Sequence, residues 1–440
     1  MKSRLLIAII ICLLKVTPFL DGAEEHEVLL LKDAEEVALK NHPRITAADL
    51  NALVAEQETR QVRSAFFPTV SANLTAVGTS KDSRIGAGGL NNPSIFSREA
   101  NGIVVNQMLS DFGRTANLLE SSKLQAHAEQ ENALATRAQI LLEVDKEYFR
   151  ALQAQSVLRV ATETVEARKA FRDLTSALAK SQLKSNLDAS FANVNFAQAK
   201  LLFLRADNSL NAAFAGLATV LGMRQIDNVE LHEESLPDAP VEDFASLVVI
   251  ALSNRPELAR LRDDRDAALK FVQAEKALRY PTVSMLGAAG ITPIRDTDAD
   301  KKWNETYAVA GINIGLPILD GGRISARQQE AKLKAEVTSQ FLTEAENEIV
   351  RDLKLSWLDA HTSYETIHVT EQLLEQATQS LKLADLRYHL GTSSIVELTQ
   401  AQLNETEAAI ANATAKYQYE IENSNLQYQL GTYPGEEPKK

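Results

Sequence analysis

Side-chain chemistry needs clustered groups, and the 440-residue sequence offers few. His361 and His368 are seven positions apart, without the His-Glu-x-x-His arrangement that sets two ring nitrogens and a general base on one helical face. Neither a glycine-rich phosphate loop nor a nucleophile elbow occurs, and no metal-ligand cluster is visible. The richest group is Arg387, Tyr388, Gly391 and Glu397, where a guanidinium, a phenol and a carboxylate lie close together around a glycine. Gly391 interrupts a stretch from Arg323 to Leu430 that has no other glycine or proline, so the backbone reverses there. The pattern predicts the tip of a helical hairpin: a left-handed glycine cap, then Ser393 or Ser394 accepting backbone N–H bonds to start the next helix. Local chemistry alone is also satisfied by a well-made αα-turn with no further role. His389 beside the turn is a lone exposed histidine, which is usually incidental.

Which solvent that turn stands in follows from the N-terminus and the charge. Lys2 and Arg4 precede an apolar run from Leu5 to Leu14, followed by a polar break and small residues at Gly22 and Ala23. This predicts a secretory leader over 1–23, since a run of about ten apolar residues is too short for a permanent helical span. The one cysteine, Cys12, lies inside that run, so the expected mature chain carries no thiol, disulfide or cysteine-linked lipid. Without the leader the formal charge moves from -13 to about -15, which argues against nucleic-acid or anionic-lipid binding. No later apolar run reaches eighteen residues, so no helical membrane span is expected.

The elements that must carry the turn are written twice. Asn41, His42 and Pro43 recur as Asn254, Arg255 and Pro256; Phe67, Pro68, Thr69, Val70 and Ser71 recur as Tyr280, Pro281, Thr282, Val283 and Ser284, both offset by 213. Asp111, Phe112, Gly113 and Arg114 match Asp320, Gly321, Gly322 and Arg323, and Leu221-Gly222 match Leu430-Gly431, offset by 209. The implied organisation is a first repeat over 24–222, a linker over 223–243 containing Pro237 and Pro240, a second repeat over 244–431 and a tail over 432–440.

Within a repeat the hydrophobic period changes. Asp33 to Phe67 has helical spacing, ending before Pro68. From Thr69 to Ala76 strict alternation sets Val70, Ala72, Leu74 and Ala76 on one face and Thr69, Ser71, Asn73 and Thr75 on the other, a strand with one oily and one wet face. A loop from Gly78 to about Arg98 leads to a second strand near Asn101 to Leu109. The second repeat gives strands near Thr282 to Ile291 and Tyr307 to Pro317 around a charged loop, Arg295 to Glu305, with weaker alternation. Each strand pair passes through Asp111 or Asp320, expected N-caps, into a helix without breakers; Arg114 to about Lys180 would extend roughly 100 Å. Heptad spacing at Leu374, Ala377, Leu381, Ala384, Tyr388 and Gly391 suits a coiled-coil seam.

Four strands of about ten residues with one oily face suit a transmembrane barrel, yet four strands cannot close one, and open edges are not tolerated in lipid. Several chains must then share a barrel that long helices continue on one side of the membrane. The competing class is a structural periplasmic or surface coiled-coil rod without a lumen, which has no need of the alternation at Thr69 to Ala76.

The duplicated Asn-x-Pro helix start, the aromatic-Pro-x-Val-Ser strand start, the Asp-x-Gly-Arg strand exit and the turn from Arg387 to Glu397 resemble the TolC family of outer-membrane efflux ducts across essentially the whole mature chain. The resemblance implies an α+β membrane protein: a transmembrane β-barrel shared by three chains, four strands each, continued by a long antiparallel α-helical coiled-coil barrel crossing the periplasm. It implies a passive exit duct for efflux or type I secretion, a homotrimer in outer-membrane lipid, with no catalysis, cofactor or metal. The implied partners are a periplasmic adaptor and an inner-membrane transporter of the RND, ABC or MFS type. Carried over by position, Arg387 and Gly391 fall where tips meet the adaptor, and Glu397 where a carboxylate lines the periplasmic constriction. Tyr388 and Asp188 fall where a hydrogen bond holds neighbouring hairpins together in the closed duct. Gln400 stands where some relatives have a second acidic ring, and Leu178 and Gln182 replace arginine and glycine in the first tip.

Overall fold

The computed structural model describes residues 27–77, 86–87, 90–91, 98–226, 229–233, 235–295 and 302–433. The leader, most of the Gly78–Arg98 loop, part of the charged loop and the last residues of the tail lie outside the described residues. A short strand β1 (Glu27–Leu29) leads into α1 (Leu31–Asn41) and α2 (Pro43–Ser64), then β2 (Thr69–Val77), two-residue strands β3 (Gly86–Ala87) and β4 (Leu90–Asn91), and β5 (Arg98–Ser110). The long helix α3 (Arg114–Lys180) turns back as α4 (Asn186–Val220), and β6 (Val229–Leu231) lies in the predicted linker. The second repeat supplies α5 (Phe244–Asn254), α6 (Pro256–Ala277), β7 (Thr282–Arg295), β8 (Lys302–Gly315), α7 (Arg323–His389) and α8 (Ile395–Leu430).

The duplication in sequence is a duplication in structure. Helices α2 and α6 have 22 residues each and α3 and α7 have 67 each. Helical spacing from Asp33 to Phe67 is broken once, where Pro43 lacks the N–H a continuing helix needs; His42 then caps α2 by accepting from the Arg44 N–H at 3.2 Å. The two largest hydrophobic cores among the described residues are also related by the repeat. Ala34, Ala38 and Ile45 recur as Leu247, Ala251 and Leu258; Ile140, Val144 and Ala151 as Ile349, Leu353 and Ala360; Leu217 and Leu221 as Leu426 and Leu430. Gly222 and Gly431 adopt φ of 70° and 69°, and a Cβ on either would meet backbone at Asn41 or Asn254. The Leu-Gly and Asn-x-Pro landmarks thus touch in both repeats, where only glycine lets one backbone approach the other.

The sheet order is β2-β5-β7-β8, antiparallel throughout, with β2 and β8 at its two edges. The hairpin registers are equivalent: Thr69 faces Asn106 as Thr282 faces Gly315, and Val70 faces Val105 as Val283 faces Ile314. Pairing carries the β2 alternation across all four strands. Val70, Ala72 and Leu74 align with Val105 and Ile103, then Gly287, Ala289 and Ile291, then Ala308, Ala310, Ile312 and Ile314 on one face. The opposite face carries Thr69, Ser71, Asn73, Asn106, Ser284 and Asn313, with Leu286 and Val309 accounting for the weaker alternation of the second repeat. Val70, Leu74, Ile312 and Ile314 are all exposed.

One expectation needs correction. Asp111 and Asp320 are not themselves the N-cap residues. Gly113 and Gly322 hold those positions in left-handed conformations, and the aspartates reach past them: Asp111 accepts from the Thr115 N–H at 2.7 Å and Asp320 from the Ile324 N–H at 2.7 Å. The linker is also more than a connector. Its β6 pairs in parallel with β1, the His232 N–H donates to the Tyr148 hydroxyl at 3.1 Å, and Trp357, the repeat equivalent of Tyr148, donates to the Val241 carbonyl at 2.8 Å. These bonds strap the segment to both long helices.

Candidate functional site

The α7–α8 turn forms as its sequence predicts. Gly391 sits at φ 74°, the Thr392 N–H donates to the Arg387 carbonyl at 2.9 Å, and Ser394, rather than Ser393, caps α8 by accepting from the Glu397 N–H at 3.4 Å. The α3–α4 turn has the same geometry without a glycine. The Leu183 N–H donates to the Leu178 carbonyl at 2.9 Å, and Gln182 takes φ 61° where Gly391 stands in the other turn. Sequence reading identified the substitution; the structure shows that the left-handed geometry survives it.

Arg387 and Glu397 meet across the second turn, Nη1 to Oε1 at 2.6 Å, with both side chains substantially exposed. Asp188 is the repeat equivalent of Glu397 but does something else. Leu178 stands where the other turn has its arginine, and the Asp188 carboxylate turns onto its own helix start and closes a capping box: its Oδ2 accepts from the Ser185 N–H at 3.1 Å and the Ser185 hydroxyl at 2.9 Å. Both bonds use one oxygen.

Tyr388 is buried, 4% exposed, in a small core with Ala384, Ile395, Leu398 and Ala401, flanked by Phe171 and Phe191 of the first hairpin. The Phe171 and Tyr388 rings are 5.9 Å apart, and the Lys184 ammonium lies 4.0 Å from the Tyr388 ring centre. Burial and then the Asp188 charge push the Tyr388 phenol above its ordinary pKa, so the two groups are within electrostatic reach. The hydrogen bond expected between them is not formed in this conformation: the Tyr388 hydroxyl is buried without a hydrogen-bond partner, and the Asp188 Oδ2 is taken by Ser185. Of the heptad seam, Ala377, Ala384 and Tyr388 are buried while Gly391 is exposed at the tip.

Sequence reading missed the polar bonds between hairpins. Arg168 is buried and donates to the Gln402 carbonyl at 2.9 Å and to the Thr406 hydroxyl at 3.2 Å; Asn195 donates to the Thr399 hydroxyl at 3.1 Å. A buried arginine leaves no signal in a helix rich in charge. Among the described residues no group of three or more His, Cys, Asp or Glu side chains is placed to hold a metal ion. No described helix is long and apolar enough to cross a membrane, which says nothing about the sheet.

Duplicated hairpins, a four-stranded sheet with one oily face and paired helical turns define the class, and comparison with known proteins agrees. The chain belongs to the outer membrane efflux protein family, whose profile matches residues 36–223 and again 247–432. Among its relatives is outer membrane protein TolC of Salmonella enteritidis, 23% identical over 76% of this chain and 71% of the relative. The fold is shared with the outer membrane protein VceC of Vibrio cholerae, with a TM-score of 0.78, 17% identity and coverage of 91% of this chain and 96% of that one. It is shared too with the open state of the MtrE outer membrane channel of Neisseria gonorrhoeae, with a TM-score of 0.75, 20% identity and coverage of 91% and 88%. The chain is an outer-membrane channel-tunnel for efflux or secretion; the rod without a lumen is not favoured.

Proposed function

We propose that three copies of the chain share one barrel in outer-membrane lipid and that their helices form a passive periplasmic tunnel, with no catalysis of its own. The observation that carries this reading is the sheet: a mainly oily face, interrupted at Asn101 and Thr306, ends at two unpaired edges, β2 and β8, which lipid does not tolerate. Closing the ring with identical chains satisfies every edge. Energy for transport then comes from an inner-membrane transporter of the RND, ABC or MFS type, joined to the duct by a periplasmic adaptor that docks at the turns through Arg387 and Gly391.

Tyr388, Asp188 and Glu397 form the gate in this reading. Asp188 spends only Oδ2 on its cap, so Oδ1 can accept the Tyr388 hydroxyl after a small movement of the tips, latching the two hairpins in the resting state. Glu397 copies at a narrow opening would draw cations through their shared field, moderated by their Arg387 partners. The reading is tested by fractionation and electrophoresis. The protein should sediment with outer membranes and run as a trimer until heated; a monomer in the soluble periplasmic fraction would return the chain to the rod class.

A further inference from the structure

Asp145 sits near the middle of α3, where α1 and Tyr433, just beyond α8, both reach the helix. It is 5% exposed, and its Oδ2 accepts the Tyr433 hydroxyl. Its Oδ1 is buried with no hydrogen-bond donor, and the residue lines a cavity of about 340 Å³ that has no basic residue in its wall. A carboxylate buried without donor or counter-charge is costly enough that the group takes up a proton instead. The carboxyl of Glu35, on α1, lies within hydrogen-bonding reach of Asp145. Two ionised carboxylates face each other as acceptors only, whereas one proton makes the pair a donor and an acceptor. We propose that Asp145 and Glu35 share one proton and that this proton latches α1 onto α3. The latch lies within one chain and is independent of how many copies share the barrel.

The surroundings supply no other positive charge. From α8, Ser424 bonds to the Asp145 carboxyl and Glu420 lines the same cavity, adding negative charge. From the linker come Ser235 and Pro237, which carry none. Lys146, next to Asp145 in α3, interacts instead with Glu422 and Glu143. Among the described residues no three acids or histidines are placed to hold a metal ion, so a proton is the cation that fits. Burial pushes the Asp145 carboxyl above its ordinary value, and bonds from Tyr433, Ser424 and Glu35 oppose part of that rise. The second repeat shows that the scaffold does not require the pair. Val248 stands where Glu35 does and packs on the apolar core; Lys354 stands where Asp145 does, its ammonium 3.9 Å from the Trp357 ring centre and 4.4 Å from that of Phe244. Only the first junction therefore responds to pH. The folded chain keeps a proton that the unfolded chain releases near the ordinary 3.8, so the latch is complete below that value and is lost as pH rises through the folded one.

Urea unfolding of the full-length protein in detergent, across pH, compares wild type with Glu35→Gln and Asp145→Asn. Either amide offers an N–H to the facing oxygen at every pH. Wild type should lose stability relative to both variants between about pH 5 and pH 8, by about tenfold in the folding equilibrium per pH unit, the slope of one bound proton. Infrared spectra at neutral pH should show a protonated-carboxyl C=O stretch in wild type that each variant lacks. Tyr433→Phe serves where an amide variant does not fold: without its donor to Oδ2 the pair should keep the proton, and the infrared band, to higher pH. Parallel pH profiles for wild type and the amide variants, no such band in wild type, or a band unmoved by Tyr433→Phe would overturn the latch.

Discussion

Asp188 and Glu397 occupy the same position in the two helical turns, yet one carboxylate closes a capping box on Ser185 and the other reaches Arg387 across its own turn at 2.6 Å. Two differences accompany this: Leu178 stands in place of Arg387 ten residues upstream, and the aspartate is one methylene shorter than the glutamate. One turn is self-capped and the other presents an exposed ion pair.

The ion pair contributes little to stability, about 0–1 kcal/mol for groups this exposed, because water and salt screen it. Its effect should appear in permeation. Arg387→Leu leaves the Glu397 charge uncompensated, so reversal potentials in a salt gradient should move toward stronger cation preference, and Glu397→Gln should move them the other way with unfolding midpoints nearly unchanged.

Gln182 holds a left-handed φ of 61° that costs a residue with a Cβ more than it costs glycine. Gln182→Gly should stabilise the first turn by about 1 kcal/mol, and Gly391→Ala should destabilise the second by a similar amount. Amide exchange at the residues following each turn reads both changes locally.

Tyr388 separates two roles. Its hydroxyl is buried without a partner in the described conformation, so Tyr388→Phe should not destabilise the fold and removes a desolvation cost. If the hydroxyl latches onto Asp188 in the resting duct, the same substitution should raise channel conductance several-fold. Loss of stability with unchanged conductance would make Tyr388 a core residue only.

His42 gives the helix α2 start a pH dependence. Its Nδ1 accepts the Arg44 N–H, which only the neutral ring can do, and burial, followed by the nearby Arg44 charge, lowers its pKa from the ordinary 6.5. A lowered folded pKa means the unfolded chain binds the proton more readily. This contribution is therefore complete above about pH 6.5 and is lost as pH falls from there through the folded value. His42→Asn keeps a capping acceptor and should remove that part of the slope. The wild-type minus variant difference in unfolding midpoint should shrink below pH 6.5; a difference independent of pH contradicts the assignment.

Much of this was legible in sequence because the signals are repeated. Glycine and proline cluster at the few places where the chain turns, and the landmarks Asn41 to Pro43 and Leu221-Gly222 mark the same contact in space as their copies in the second repeat. Alternation at Val70, Ala72 and Leu74 gave the sheet its oily face. Long-range pairings left no local trace. The three-residue β1 and β6 are too short to show a period, Arg168 reads as one charge among many, and the different fates of Asp188 and Glu397 depend on residues brought alongside only by the turns.

The central claim, a lumen through the outer membrane that the helical turns restrict, is tested most directly by single-channel conductance of the purified protein in a planar bilayer. The account predicts discrete, cation-preferring steps from wild type and larger or more frequent openings from the Tyr388→Phe, Asp188→Ala double variant. Silence from both forms, with the protein shown to be correctly inserted, would mean there is no lumen.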